Sequence, residues 1–392
     1  MAMYDSNAVW HTGPGTLAGR YLRRFWQPIH LSRGVGSGRA AVVRIMSEDF
    51  TLYRDEGGEP HLLDARCAHR GTQLSLGWVE GDSIRCMYHG WKYAPTGQCI
   101  EQPGEPQPFC HKIRIRSYPV REYLGAIFAY LGEGDPPSFP RYERFEAPRV
   151  ALFVSAEISP FNHFQRMENS HDFTHAPFVH RQAYPMERTL DTVIPRIKSE
   201  ECEWGMKTHR LDPNGQEVIQ YFGMPNINYI IGGVGKPGRE WESPDESEAL
   251  FIRVPVDDEH HLHFELRWVK GEGKSKHNPA LQNGPPVQLV NKVSNELLEA
   301  VFAGTIHLDE ITYSDRTGFN LFWLQDNVAM LGQGVCWERK NEHLGRADVG
   351  VTLMRKLWAR ELQALAEGRP LQNWRRTPDI VPRVAALPTA QR

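Results

Sequence analysis

Apolar and polar positions alternate at strand spacing through the first third of the chain. Val42, Val43 and Ile45 precede a turn at Ser47 to Asp49. Thr51-Leu-Tyr-Arg54 follows, and His61-Leu-Leu63 comes after the turn Asp55-Glu-Gly-Gly-Glu59. Trp91-Lys-Tyr93 and Gln98-Cys-Ile100 flank a Pro95-Thr-Gly97 turn, and Gly125 to Leu131 reads as a buried strand. Ahead of these, Leu17 to Trp26 has the spacing of a short amphipathic helix. Gly132-Glu-Gly-Asp-Pro-Pro-Ser138 has the composition of a linker. Beyond it, Val150 to Ile158, Ile227 to Ile231, Leu250 to Val254 and His261 to Trp268 read as strands. Val287 to Phe302 reads as a helix, and Leu321 to Leu331 is a further apolar run. Met354, Leu357, Trp358, Leu362 and Leu365 recur at helical spacing and stop before Gly368. The pattern divides the chain into a helix and arm at 1–39, a small all-β unit at 40–140 and a larger mixed unit at 149–392.

Length and composition allow this: 392 residues suffice for two domains. The net charge of −3 offers no surface for a polyanion, so nucleic acid is not an expected partner. No apolar stretch reaches the ~20 residues that cross a bilayer. Met1 to His11 lacks a basic region followed by an apolar run, so a cytoplasmic location is expected. Six cysteines are too sparse for a secreted disulfide scaffold. Cys67 and Cys86 have metal-like spacing, whereas Cys99, Cys110, Cys202 and Cys336 read as reduced thiols.

Two stretches concentrate candidate chemistry. The first is Cys67-Ala-His69, sixteen residues, then Cys86-Met-Tyr-His89. Each half is a two-ligand pincer on a tight loop. A structural zinc site usually pairs Cys with Cys and His with His. The interleaved order here suits two thiolates on one iron and two imidazoles on the other. The second stretch is Glu168 to His180, E-N-S-H-D-F-T-H-A-P-F-V-H. On one continuous helix, positions 175 and 180 would diverge by about 140°. Pro177 breaks that helix and is expected to let both imidazoles converge. His171 and His175, four residues apart, are a rival pair, but the protease motif that uses such a pair needs Glu where Asp172 stands. A third ligand should come from elsewhere, and Asp326 is the strongest candidate. It interrupts an apolar run, where a carboxylate is costly unless paired or metal-bound. Asp309 and Glu310 are alternatives in a more polar stretch. Two His and one carboxylate would leave positions on iron open.

In order and spacing, both clusters resemble the Rieske non-haem iron aromatic-ring hydroxylating oxygenases, terminal oxygenase α subunit. Asn169-x-x-Asp172-x-x-His175-x4-His180 resembles that family's iron motif. Arg253 to Asp258 and Gly345 to Val351 resemble its phthalate/vanillate branch. The resemblance implies an α+β fold: a Rieske [2Fe–2S] domain followed by a helix-grip domain, an antiparallel sheet with helices. It implies that Cys67, His69, Cys86 and His89 hold the cluster. His175, His180 and Asp326 would hold Fe(II). Asp172 would bridge His175 to His89 of the partner subunit in a homotrimer. The implied activity is O2-dependent hydroxylation or O-demethylation of a small aromatic, carboxylated or methoxylated. An NAD(P)H-dependent reductase of flavin or ferredoxin type would supply electrons. Alternatives are a cis-dihydroxylating α subunit with a β partner, and an electron-transfer protein without catalysis. Thr72 and Tyr88 stand where respiratory Rieske proteins carry a disulfide clamp, and Trp91 where they carry a Ser that donates to sulfur. Fewer such donors imply a low cluster potential.

Three features read as decoys. Gly233-Val-Gly-Lys-Pro-Gly238 matches a dinucleotide-binding pattern, but a polar loop follows instead of a helix. His260, His261 and His263 have ligand-like composition yet read as ordinary surface or core histidines. Glu168 reads as ordinary helix polarity.

Overall fold

The computed structural model describes residues 6–146, 150–181, 194–213, 215, 217–231, 247–270, 295–311, 321–334 and 341–375. Helix α1 (Leu17–Leu22) is capped by Thr16, whose hydroxyl accepts from the Gly19 amide at 3.1 Å. It is shorter than the apolar stripe suggested. Trp26 opens a strand, β1 (Trp26–Leu31), buried along its length and paired antiparallel with residues 126–130. Pairing overrides the helical spacing there. The ladder shifts register between Pro28 and His30, which accommodates the missing amide of Pro28.

The strands of the first half are β2 (Arg39–Ile45), β3 (Glu48–Arg54), β4 (Pro60–Asp64), β5 (Trp78–Glu80), β6 (Ser83–Arg85), β7 (Lys92–Tyr93), β8 (Cys99–Glu101), β9 (Ser117–Tyr118), β10 (Val120–Tyr123) and β11 (Ala126–Tyr130). They form three antiparallel sheets, ordered β1-β11-β10, β2-β3-β4-β9 and β5-β6-β7-β8. Tyr53, Leu63, Leu74, Ile84, Trp91 and Tyr93 make a small core behind the two ligand-bearing loops.

A short helix, α2 (Glu143–Glu146), precedes β12 (Val150–Ser159). Helices α3 (His163–Asn169) and α4 (Ala176–Val179) follow, then β13 (Arg196–Cys202), β14 (Gly205–Leu211), β15 (Glu217–Gly223), β16 (Ile227–Ile231), β17 (Ser247–Pro255) and β18 (His261–Lys270). The seven strands from β12 to β18 form one antiparallel sheet, ordered β12-β18-β17-β16-β15-β14-β13. Helices α5 (Asn295–Phe302), α6 (Leu321–Gly332) and α7 (Val349–Ala366) complete the described chain. The α+β class expected from the sequence is the class observed.

Alternation gives the large sheet two unlike faces. Leu250, Ile252, Val254, Leu262, Phe264 and Leu266 share one core with Ile29, Leu31 and Phe128 of the first sheet. The opposite face carries Glu157, His263 and Arg253 side by side in register. That polar row faces the helices that bear the iron-ligand candidates. Helix α7 buries Val351, Met354, Leu357, Trp358 and Leu362 at helical spacing. At its start, a Cβ on Gly350 would stand 2.6 Å from the carbonyl oxygen of His171, so only glycine lets the helix reach that turn.

Candidate metal centres

The two Cys-His loops are built alike. Cys67 N–H donates to Thr72 O and Gly71 N–H to Cys67 O; Cys86 N–H donates to Trp91 O and Gly90 N–H to Cys86 O. Each loop closes through a glycine with positive φ, Gly71 at 76° and Gly90 at 72°. The result brings four candidate ligands of two types together. Cys67 and Cys86 are buried, while His89 is exposed. The His69 and His89 rings lie 4.4 Å apart. The indole of Trp91 stacks on His69 at 4.7 Å. Loss of hydration, together with neighbouring His69 and Arg70, pushes the His89 imidazole below its usual pKa.

The second centre is assembled from three separated pieces. The stretch around residue 170 is two short helices joined by a turn, not one kinked helix. Helix α3 ends at Asn169, and α4 begins at Ala176 with Pro177 in its first turn, where a missing amide costs nothing. His175 and His180 flank α4 at its two ends. The ring of His175 turns its Nδ1–H to the backbone carbonyl of Asp172, and His180 Nδ1 pairs with Gln325 Oε1 at 3.0 Å. These bonds leave both Nε2 atoms facing Asp326 on α6. His175 Nε2 lies 3.5 Å and His180 Nε2 3.2 Å from Asp326 Oδ1. One ligand atom from each of the three residues falls within 4.8 Å of the other two. Burial would raise the Asp326 carboxyl, but Arg166 and the two imidazoles outweigh it and hold it well below the carboxylate range. Removing one partner of a buried ion pair such as Arg166–Asp326 typically costs ~3–5 kcal/mol.

Residues 25–119 match the Rieske [2Fe-2S] domain family. A curated relative, the 5,5'-dehydrodivanillate O-demethylase oxygenase subunit of Sphingobium sp., is 30% identical over 391 residues, covering 97% of this chain and 84% of its own length. The phenoxybenzoate dioxygenase subunit alpha of Ectopseudomonas oleovorans is 31% identical, covering 90% of this chain and 84% of its own. The chain belongs to the Rieske terminal oxygenases. It also shares the fold of the terminal oxygenase of carbazole 1,9a-dioxygenase from Novosphingobium sp. KA1, with a TM-score of 0.63 at 19% identity, over 91% of this chain and 95% of that one.

A Rieske terminal oxygenase carries a [2Fe–2S] cluster and a mononuclear iron, and the residues present fit both groups. His69 Nδ1 is buried with no hydrogen-bond partner among the described residues, as a nitrogen reserved for a metal would be. Tyr93, not singled out from the sequence, places its hydroxyl 3.2 Å from Cys67 Sγ while accepting from the Ala68 amide at 3.1 Å. One hydrogen bond to the sulfur of a candidate ligand is thus present.

At the iron centre of this oxygenase, several sequence alternatives separate cleanly. His171 is fully buried and turned to the sheet, with Nε2 3.2 Å from Asn228 Oδ1 and Nδ1 3.4 Å from Thr208 Oγ1. Burial, with Arg253 adding to it against the Asn228 bond, lowers its pKa to about 4. It is a core residue. Asp309 and Glu310 are exposed on a turn, outside the metal-capable group. His261 bonds Phe161 O at 2.8 Å, and His263 lies against Arg253. Glu168 is not ordinary helix polarity: it is buried and binds Arg355 of α7 at 2.6 Å. The Asp172 carboxylate accepts from the Thr174 amide at 3.1 Å and stands 4.0 Å from His175 Nδ1, whose proton goes to the Asp172 backbone instead. Asn169 Nδ2 lies 3.4 Å from both His175 Nε2 and Asp326 Oδ1. The five described cysteines are all free; Cys336 and the glycines at 233–238 lie outside the described residues. No described helix is long and apolar enough to cross a membrane.

Proposed function

We propose that this chain is the oxygenase component of a multicomponent system that hydroxylates or O-demethylates a small carboxylated or methoxylated aromatic. The convergence of His175, His180 and Asp326 carries the reading: a pure electron carrier has no use for a second, buried metal-capable group. In it, Cys67, His69, Cys86 and His89 hold the cluster, within a unit at 40–140, and His175, His180 and Asp326 hold the iron, within a unit at 149–392. The mononuclear iron, when bound, supplies the redox chemistry of O2 activation, and the cluster supplies an electron to it. The substrate class follows the relatives, one an O-demethylase acting on dehydrodivanillate and one a phenoxybenzoate dioxygenase. The second name also favours, as the alternative, a dihydroxylating α subunit; a small co-purifying β chain would decide for it.

The chain's own residues divide the work. His89 presents the imidazole edge of the cluster site to solvent, and Leu76, Trp78, Met87 and Tyr88 expose apolar surface on the same segments. Such a surface suits a partner subunit. On the other side, Asp172 keeps its side chain about one-third exposed (33%) at the outer edge of the iron centre. Burial raises the Asp172 carboxyl, against the pull of His175 and with Asp348 adding to the rise. In a homotrimer, Asp172 would connect His175 with His89 of the partner subunit, the connection lying through its backbone carbonyl as well as its carboxylate. An NAD(P)H-dependent reductase of flavin or ferredoxin type would be the partner that supplies electrons. The cytoplasm is the expected compartment.

The test is a panel of aromatic acids and methoxyaromatics with a surrogate reductase, scored for oxygen uptake, hydroxylated product and formaldehyde. Coupled uptake with product from at least one class is expected. Cluster reduction without substrate-dependent oxygen uptake across the panel contradicts the substrate class.

A further inference from the structure

Arg166 lies on α3, three residues before Asn169, and takes no part in the family's iron motif. Its side chain is only 5% exposed. Nη1 donates to Asp326 Oδ2 at 3.0 Å, while the two imidazoles face the other oxygen, Oδ1. The same Nη1 lies 3.4 Å from Asn169 Oδ1, so the guanidinium also orients the amide whose nitrogen sits beside Oδ1. Its plane rests on Trp323, 4.2 Å from the ring centroid. Trp323 and Asp326 are three residues apart on α6 and share a face. Trp323 is braced in turn by His263 on the sheet, at 4.5 Å. The guanidinium is therefore fixed from the sheet side and spends its hydrogen bond on one carboxylate oxygen.

We propose that Arg166 is a positioning residue that restricts Asp326 to one-oxygen ligation of the mononuclear iron. With Oδ2 held, the carboxylate contributes one donor atom beside the two imidazoles. Without the clamp, Oδ2 can swing onto the metal and fill a position that O2 or substrate needs. Lysine cannot replace this role fully, because it lacks the planar fork that both bonds the oxygen and stacks on the indole.

The inference rests on His175, His180 and Asp326 being the ligand set, and the experiment separates the two claims. Arg166→Gln, Arg166→Lys and Asp326→Ala are each loaded with Fe(II) or Co(II). Metal affinity is measured by chelator competition and coordination by the Co(II) visible bands. In Arg166→Gln the dissociation constant for Fe(II) shifts about 10–100-fold, the scale of changes in outer-shell partners of metal ligands. Its Co(II) bands weaken as the coordination number rises, and Arg166→Lys falls between it and the wild type. Unchanged affinity and bands in Arg166→Gln, with iron lost from Asp326→Ala, overturn the clamp alone. Iron retained in Asp326→Ala overturns the ligand set itself. Should Arg166→Gln fail to fold, a crystal structure of the iron-loaded wild type decides. Arg166 still on Oδ2 with Oδ1 on the metal supports the clamp, and both Asp326 oxygens on the metal overturn it.

Discussion

The two centres of this oxygenase are made in opposite ways. Each half of the candidate cluster site is a loop closed by its own backbone bonds, from Cys67 to Thr72 and from Cys86 to Trp91, and each contains both of its candidate ligands. The iron site has no such local frame. Its carboxylate arrives on α6, and the contact that orients it, Arg166 to Asp326, spans 160 positions of sequence. Loop hydrogen bonds build the first, and long-range charge compensation in a buried setting builds the second. A local frame tolerates change in distant residues, whereas a site assembled from separate elements inherits every weakness of their packing.

The widest contrast is open to direct disruption. Cys67→Ser or Cys86→Ser should abolish the cluster absorption and reduce product formation to background, while mononuclear iron stays bound. Loss of both metals together would show that the sites are not built independently. Asp172→Asn is the next largest. Both metals should remain, and turnover should fall about 10–100-fold, as for other groups that orient metal ligands. Steady-state product with metal analysis checks this, and full coupled activity would remove Asp172 from the electron route.

What the sequence made legible follows the same division. Ligand types at fixed spacing in one loop leave a local signature, so Cys67, His69, Cys86 and His89 stand out as candidates from spacing and order, and residues 25–119 match the Rieske domain family. Asp326 stood out as a candidate because an acid in an apolar run is costly to bury, and the structure brings it beside His175 and His180. Arg166 and Gln325 left no such mark, since their roles depend on which elements meet. Glu168 looked like surface polarity because its partner, Arg355, lies 187 residues away. The break expected at Pro177 lies earlier in the chain, because proline is most at home in a helix's first turn: α3 already ends at Asn169, and Pro177 starts α4.

Two smaller effects sharpen the comparison. His171→Ala should lower stability by ~1–3 kcal/mol, the cost of leaving Asn228 Oδ1 without its His171 partner in the core, without loss of iron. Thermal unfolding with iron content tests it, and iron loss in a folded variant would reinstate His171 as a ligand. Tyr93→Phe should leave the cluster in place and lower its reduction potential, because the hydrogen bond to Cys67 Sγ favours the more negative, reduced cluster. A redox titration followed by EPR reads the shift, and an unchanged or higher potential contradicts the role given to Tyr93.

The most direct measurement is iron and acid-labile sulfide per chain in the wild type and in Asp326→Ala, purified without oxygen. The ligand set proposed here requires the variant to lose the mononuclear iron alone and to keep the two irons and two sulfides of its cluster, with unaltered visible absorption. An Asp326→Ala protein with the wild-type iron content, or a wild type that holds zinc in place of iron and sulfide, would contradict it.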